Sequence, residues 1–244
     1  MKFTVYSDKG GRVSNEDCAR VADKDGVYLF AVADGLGDKG GGELASRLAV
    51  DAAAQTFLKA PELSRECAAR CMGAAHNLII ERRRGTDAVS DMATTMALLI
   101  TDGKSAVWAH IGDTRIYVLR RGSIEEITND HSAAFDSFTE GEIDFSEIRE
   151  SRVRNRLRRV LGDRISHEFE VSEVLRLSGA YSFLICTDGL WEYVSEDEIE
   201  RCHRASLGAK GWGERMLAIV QRRADRDADN CSFIAVRMQM TDAM

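Results

Sequence analysis

Apolar positions in this chain follow two periods, and the change between them marks out the elements. Lys2–Tyr6 alternates and predicts a strand. Cys18–Ala22 and Val27–Ala33 predict a strand pair around the turn Asp23–Gly26. Helical spacing follows, with Leu44, Leu48, Ala52 and Phe57 on one face. Pro61 fits the first turn of a second helix, whose stripe is Leu63, Cys67, Cys71, Ala75 and Leu78. Arg82, Arg83 and Arg84 end that helix with cations that suit its dipole. From Met92 the period shortens again. Met92–Thr101, Ala106–Ile111, Arg115–Arg120 and Ser123–Thr128 are β-rich runs separated by Asp102-Gly103, Gly112-Asp113 and Arg121-Gly122. Tight turns of this kind describe an antiparallel meander. Residues 130–162 are irregular, then Arg-rich. Glu168–Val174 and Tyr181–Thr187 resume strands, and Ser195 with Glu198 forms a capping box before a helix. Another helix runs from about Trp212 to Arg223, and Cys231–Met240 closes the chain as a strand. Helices grouped in blocks rather than alternating with strands make this an α+β protein. The strands suffice for two sheets packed face to face, with helices outside.

Composition narrows the field. The 244 residues are 44% hydrophobic and 30% charged, which suits a soluble globular protein with a full core. No linker, repeat or low-complexity tract divides them, so one domain over residues 1–244 is expected. The net charge of −7 argues against nucleic acid and anionic membrane as partners, and no apolar run approaches a membrane span. Met1–Asp8 lacks the apolar core of a signal peptide. The six cysteines contain no C-x-x-C, which points to a reducing, cytoplasmic setting, and Cys67 and Cys71 read as core packing. The five histidines are dispersed, with no H-x-x-x-H to suggest zinc.

The chemistry gathers where apolar runs end in acids. Tyr28–Ala33 runs straight into Asp34, then five glycines between Gly35 and Gly42, then a helix. Gly35 to Gly40 fits G-x-G-x-x-G, but a dinucleotide site needs a second parallel strand with an acid about 20 residues on. A helix containing Asp51 follows instead, and the fingerprint is read as accidental. The strand-end acid recurs at Asp113, at Asp188 (again followed by glycine) and at Asp229, with Glu16 and Asp17 as a fifth locus. A lone strand-end aspartate is usually a turn former. Five loci together change the reading: converging carboxylates would repel one another unless cations neutralised them. Oxygen-only donors suit Mg²⁺ or Mn²⁺, and paired ions can activate water and clamp a phosphoryl group. Arg12 offers a guanidinium fork for phosphate oxygens. A two-metal phosphoester hydrolase is the function these residues support.

The same segments resemble, in order, the motif set of the metal-dependent Ser/Thr protein phosphatases of the type 2C family, in its bacterial form. Arg12-Val13-Ser14-Asn15-Glu16-Asp17 is similar to the first motif and Val32-Ala33-Asp34-Gly35-Leu36-Gly37 to the second. Met92-Ala93-Thr94-Thr95 resembles M-G-T-T, with Ala93 in place of glycine. Gly112-Asp113-Thr114-Arg115-Ile116-Tyr117 resembles G-D-S-R-x-Y, and Thr128-Asn129-Asp130-His131-Ser132 resembles T-x-D-H-S. Cys186-Thr187-Asp188-Gly189-Leu190-Trp191 and Asp229-Asn230 complete a set that spans Arg12 to Val236.

The resemblance implies a four-layer αββα sandwich with metals at one end of two mainly antiparallel sheets. It implies Asp34 bridging two ions with the Gly35 carbonyl beside it, Glu16 (with Asp17) on one ion, and Asp188 and Asp229 on the other. A third ion would lie between Asp113 and Asp188, and Arg12 would hold the substrate phosphate. The implied reaction is in-line attack by metal-bound hydroxide on phosphoserine or phosphothreonine, opposing a Ser/Thr kinase and acting on its targets, in a monomeric cytoplasmic enzyme. Two departures stand out. Family members often carry a His just after Asp-Gly or after the following glycines; here Leu36 and Lys39 hold those places and Asp38 replaces a glycine, which leaves the general acid unassigned. Residues 132–162 align with the family's flap and diverge most, with Arg149, Arg152, Arg154, Arg156, Arg158 and Arg159 clustered there. Those arginines read first as a solvated helix face and second as a dock for an acidic or multiply phosphorylated segment. A catalytically silent phosphoprotein-binding relative and a hydrolase of small phosphate esters are the alternative functions.

Overall fold

Alternation along each strand decides which layer a side chain enters, and the computed structural model, which describes residues 1–37, 40–84 and 91–238, shows four layers. In chain order the first strands are β1 (Lys2–Asp8), β2 (Asp17–Lys24), β3 (Val27–Leu36), β4 (Ala93–Thr94), β5 (Met96–Thr101) and β6 (Ser105–Ile111). They continue as β7 (Arg115–Arg120), β8 (Ser123–Ile127), β9 (Glu170–Val171), β10 (Leu175–Arg176), β11 (Tyr181–Cys186) and β12 (Cys231–Arg237). The helices are α1 (Gly41–Lys59), α2 (Arg65–Arg83), α3 (Ala133–Thr139), α4 (Asp188–Trp191), α5 (Glu196–Arg204) and α6 (Ala209–Arg223), with a 3₁₀ helix at Phe145–Glu150. One sheet runs β1-β12-β11-β7-β8; the other runs β10-β6-β5-β3-β2, with β4 on β3 and β9 on β6. The strand pairings are antiparallel.

Between the sheets, Phe30 and Val32 of β3 meet Ile116, Phe183, Ile185 and Ile234 of the opposite sheet. The intervening residues of β3 (Leu29, Ala31, Ala33) face α1 and α2, while Leu184, Phe233 and Ala235 face Trp212 and Met216 of α6. Each large apolar side chain so buried contributes roughly 1.5–3 kcal/mol. The αββα expectation therefore holds. Among the described residues no helix is long and apolar enough to cross a membrane.

Several local expectations need correction. The fully buried face of α1 is Ala45, Ala49, Ala53 and Phe57, whereas Leu44 and Leu48 are half-buried at its edge. Small residues let α1 lie close on β3 and α2, so the true contact stripe has little hydrophobic signal. Pro61 lies before α2, whose first turn is capped by Ser64 Oγ accepting from the Cys67 N–H at 3.1 Å. The expected strand 92–101 is broken at Thr95, and 168–174 keeps only the two residues of β9. The expected meander is two hairpins in different sheets: β5–β6 belongs to one and β7–β8 to the other. Gly112 makes the crossing possible, because its φ is +86° and a Cβ there would lie 2.4 Å from Thr95 Cγ2.

One buried ion pair ties these layers together. Arg115 of β7 donates to both oxygens of Asp130 at 2.8 and 2.6 Å, each side chain being 2% exposed. Its guanidinium also stacks on Trp191, 3.8 Å from the ring centre. Removing one partner strands the other charge in the core, a loss of about 3–5 kcal/mol. Asp130→Ala should therefore lower unfolding free energy in urea by that amount, and Arg115→Met combined with Asp130→Leu should recover most of it. A loss below about 1 kcal/mol would place the pair in the solvent-screened class.

Candidate metal centre

Connections between antiparallel strands alternate between the two ends of the sheets, and here those at one end carry the acids. Arg12, Glu16, Asp34, Gly35, Asp113, Asp188 and Asp229 line one pocket of about 150 Å³, together with Leu36, Asn155, Leu157 and Asn230. Asp34 sits near the end of β3, Asp113 in the crossing between sheets, Asp188 at the start of α4 after β11, and Asp229 just ahead of β12. Glu16 and Arg12 come from the β1–β2 connection. Asp17 is placed differently: it is opposite Asp34 in the β2–β3 register, buried, and its Oδ2 accepts from Thr187 Oγ1 at 2.9 Å.

The main chain around these acids is held by side chains with no charge. Thr94 Oγ1 donates to the Asp34 carbonyl at 2.6 Å and Thr95 Oγ1 accepts from the Asp34 N–H at 3.2 Å. Thr95 also bonds Thr114 Oγ1 at 2.6 Å, joining the Asp34 and Asp113 segments. Asn230 Oδ1 accepts from the Glu16 N–H at 2.7 Å, and its Nδ2 donates to the carbonyls of Lys9 and Ser14 at 2.8 and 3.0 Å. Asn230 thus locks the Asp229 segment to the loop bearing Arg12 and Glu16. At Gly35 a Cβ would fall 2.0 Å from the Gly42 carbonyl, so only glycine lets α1 pass this close.

Burial, with crowding added to it, sets the electrostatics. Burial raises the Asp34 carboxyl well above the usual range, and the charges of Asp17, Asp188, Asp113 and Asp229 raise it further. Asp188 is raised by burial and then by Asp113, Glu192, Asp229 and Asp17. Burial pushes Asp113 to about 7, with Asp130 adding to the rise and Arg115 opposing it. Asp17 also reaches about 7, again chiefly through burial, and its Oδ1 is buried without a hydrogen-bond partner. Among the described residues the one cation lining the pocket, Arg12, pairs with Asp229 at 2.8 Å and is 55% exposed. An excess of desolvated carboxylate oxygens, one of the neighbouring ones orphaned, is a donor set that fits hard divalent ions.

Two groupings carry no sequence signal, although His131 alone belongs to the T-x-D-H-S match. His110 and His131, dispersed along the chain, stack with ring centres 4.9 Å apart, and their ligand atoms lie within 4.8 Å of Glu170 and of each other. Hydrogen bonds already use this cluster. The Gly112 N–H donates to His131 Nδ1 at 3.2 Å, which puts the ring proton on Nε2, facing Glu170 at 3.2 Å. His110 Nε2 faces the Asn129 carbonyl at 2.9 Å. His131 therefore clamps the residue before Asp113, the structural role its burial suits. The flap contributes Asn155 and Leu157, and it is pinned at its base by the Arg158 N–H to the His131 carbonyl at 2.7 Å. Apart from Arg149, in the 3₁₀ helix Phe145–Glu150, its arginines lie outside any helix. Arg149 pairs with Glu196, Arg154 with Glu192, Arg158 with Asp136 and Arg159 with Glu170, whereas Arg152 and Arg156 form no ion pair among the described residues. Asp38 and Lys39 lie outside the described residues.

Comparison with known proteins converges on this arrangement. The family model for protein phosphatase 2C matches residues 9–224. The Ser/Thr protein phosphatase PstP of Mycobacterium tuberculosis is 29% identical over 236 residues, covering 90% of this chain and 44% of that protein. The chain thus spans less than half the length of that relative. The Ser/Thr phosphatase stp of Listeria welshimeri is 30% identical over 209 residues, 82% of each chain. A crystal structure of the PstP catalytic domain with two manganese ions superposes with a TM-score of 0.81 at 25% identity, covering 98% of both chains. The chain belongs to the protein phosphatase 2C family.

Proposed function

We propose that this chain hydrolyses phosphoserine and phosphothreonine on proteins, with Mn²⁺ or Mg²⁺ as cofactor, and that it opposes a Ser/Thr kinase. The observation that carries this reading is the meeting of Glu16, Asp34, Asp113, Asp188 and Asp229 with Arg12 in one pocket. Asp34 and the Gly35 carbonyl would hold two ions between them, Glu16 one of these and Asp188 with Asp229 the other. Asp17 stands behind Asp34 and adds charge there. Asp113 and Asp188 would share a third ion. Bound ions would lower the pKa of coordinated water and neutralise the phosphoryl oxygens as charge shifts to the leaving group.

The chain's own residues set the rest. Thr94, Thr95 and Thr114 hold the Asp34 and Asp113 segments in register, and Asn230 does the same for Glu16 and Asp229. Among the described residues Arg12 is tied to Asp229 through one nitrogen only, which leaves its remaining N–H groups for phosphate. Six free cysteines agree with a reducing, cytoplasmic setting. We read residues 1–244 as one catalytic domain with a flap over 132–162, acting as a monomer. Turnover of p-nitrophenyl phosphate and of a phosphothreonine peptide, each with and without Mn²⁺, tests the activity. Hydrolysis of neither points to a silent binding protein, and hydrolysis of the small ester alone to a small-ester hydrolase.

Asp34→Ala and Asp188→Ala should each cut Mn²⁺-dependent turnover by more than about 10²-fold, the scale of losing one charge-stabilising group. In chelator the same variants should melt at or above the parent's temperature, because each removes a repelling carboxylate. Titration calorimetry must show fewer Mn²⁺ bound; undiminished stoichiometry in Asp34→Ala would remove that residue from the ligand set. Arg12→Ala should weaken inhibition by inorganic phosphate about 10–100-fold, as expected for charge-assisted hydrogen bonds of about 1.5–3 kcal/mol, with Mn²⁺ affinity retained.

The raised carboxyls also set a pH dependence. Asp17 and Asp113 titrate near 7 when folded against 3.8 in the unfolded chain, so between those values the folded state binds more protons. Stability of the chelated protein should accordingly fall as pH rises from about 4 through 7. Urea unfolding in EDTA across pH 5–8 reads this slope directly, and Mn²⁺ should oppose it because the ion binds the deprotonated groups.

A further inference from the structure

A second cavity, of about 470 Å³, adjoins the metal pocket, and Asp229 lines both. Its walls come from the end of β1, the last turns of α6 and the segment before β12. Tyr6 and Tyr193 contribute aromatic surface, while Asp8 and Asp225 join Asp229 as carboxylates; among the described residues Arg226 is the one cation in the lining. Asp8 Oδ1 accepts from the Gly10 N–H at 2.9 Å and Asp225 Oδ1 from the Asp227 N–H at 3.1 Å. Neither acid forms an ion pair among the described residues, and neither does Arg226, so no salt bridge there offsets these acids. The negative field reaches the rings. Tyr193 is held protonated beyond the ordinary phenol range by burial and then by Glu192, Asp225 and Asp229, and Tyr6 by burial and then by Asp8.

An open cavity with aromatic faces and uncompensated carboxylates is suited to an organic cation. Its stem can lie along the apolar side of α6 while its head meets the ring faces and acids. We propose that this cavity receives an arginine or lysine side chain of the phosphoprotein substrate, close in sequence to the phosphorylated residue held in the metal pocket. The shared wall limits the separation to a few residues, because an extended chain advances only about 3.3–3.6 Å per residue. Arginine fits better than lysine, since its planar head stacks on tyrosine and forks onto a carboxylate at once. The inference rests on the protein phosphatase reading and adds a substrate class to it: phosphosites with a basic neighbour.

The test is a set of phosphothreonine peptides on an alanine background, each with one arginine placed from three residues before to three after the phosphosite. Values of kcat/KM with Mn²⁺ should rise roughly tenfold at one position, on the scale of a cation–π contact joined to a carboxylate. Glutamate at that position should lower them below the alanine peptide. Asp225→Arg should abolish the arginine preference while leaving turnover of p-nitrophenyl phosphate and of the all-alanine peptide unchanged. Asp225→Asn serves as the milder variant should the inversion disturb folding, and it should shrink the preference in the same direction. A flat profile across all positions, or a preference that survives both variants, overturns the inference and leaves the phosphatase reading intact. Turnover of the small ester with no peptide hydrolysed at all would overturn both.

Discussion

Mutual repulsion among carboxylates at one end of the sandwich is the constraint on which this structure turns. Each strand-end acid would be unremarkable alone. Burial and neighbouring carboxylates together raise the pKa values of Asp17, Asp34, Asp113 and Asp188, and the charge of Asp229 adds to the rise at Asp17, Asp34 and Asp188, so the metal-free fold carries a standing penalty at neutral pH. A fold tolerates such a penalty where function requires it, and the rest of the chain is built to hold it. The two sheets supply rigidity through the layer of Phe30, Phe183, Ile185 and Ile234. Uncharged side chains (Thr94, Thr95, Thr114 and Asn230) then fix the backbone under the acids without altering the charge.

Topology explains why these distant residues meet. The chain crosses between sheets at Gly112–Thr114 and enters α4 from β11 at Thr187–Asp188, both at the same end. The crossing depends on Gly112, on the His131 clamp behind it, and on the Arg115–Asp130 pair that anchors the start of β7. Three motifs of the resemblance, those around Gly112, Asp130 and Thr94, thus divide between ligand placement and the support of that placement. Asp113 is the ligand candidate; Arg115, His131 and the threonines are support.

Much of this was legible in the chain because the signals are local. Runs buried on both faces, such as Val27–Ala33 and Tyr181–Cys186, announce central strands, and an acid directly after such a run marks a strand end at a site. The capping box at Ser195 is likewise local, and Glu198 Oε2 does accept the Ser195 N–H at 3.1 Å. What escaped reading depends on tertiary context. A sheet-crossing turn and a hairpin turn share the same glycine-plus-acid spelling, so β6 and β7 looked like neighbours. The face of α1 was misplaced because alanines, not leucines, make its close contact. His110 and His131 gave no spacing signal, since a β6 residue and a loop residue meet only after folding. Asn155 and Leu157 carry no diagnostic chemistry, and their place in the pocket follows from the fold of the flap.

The central claim is that the carboxylate cluster is a divalent-ion site. Anomalous diffraction at the manganese edge, from crystals grown with Mn²⁺, measures this directly. The account predicts at least two peaks within coordination distance of Asp34, with Asp188 and Asp229 on one of them and Glu16 on the other. Density for Mn²⁺ elsewhere, with these carboxylates bound only to water or to Arg12, would contradict it.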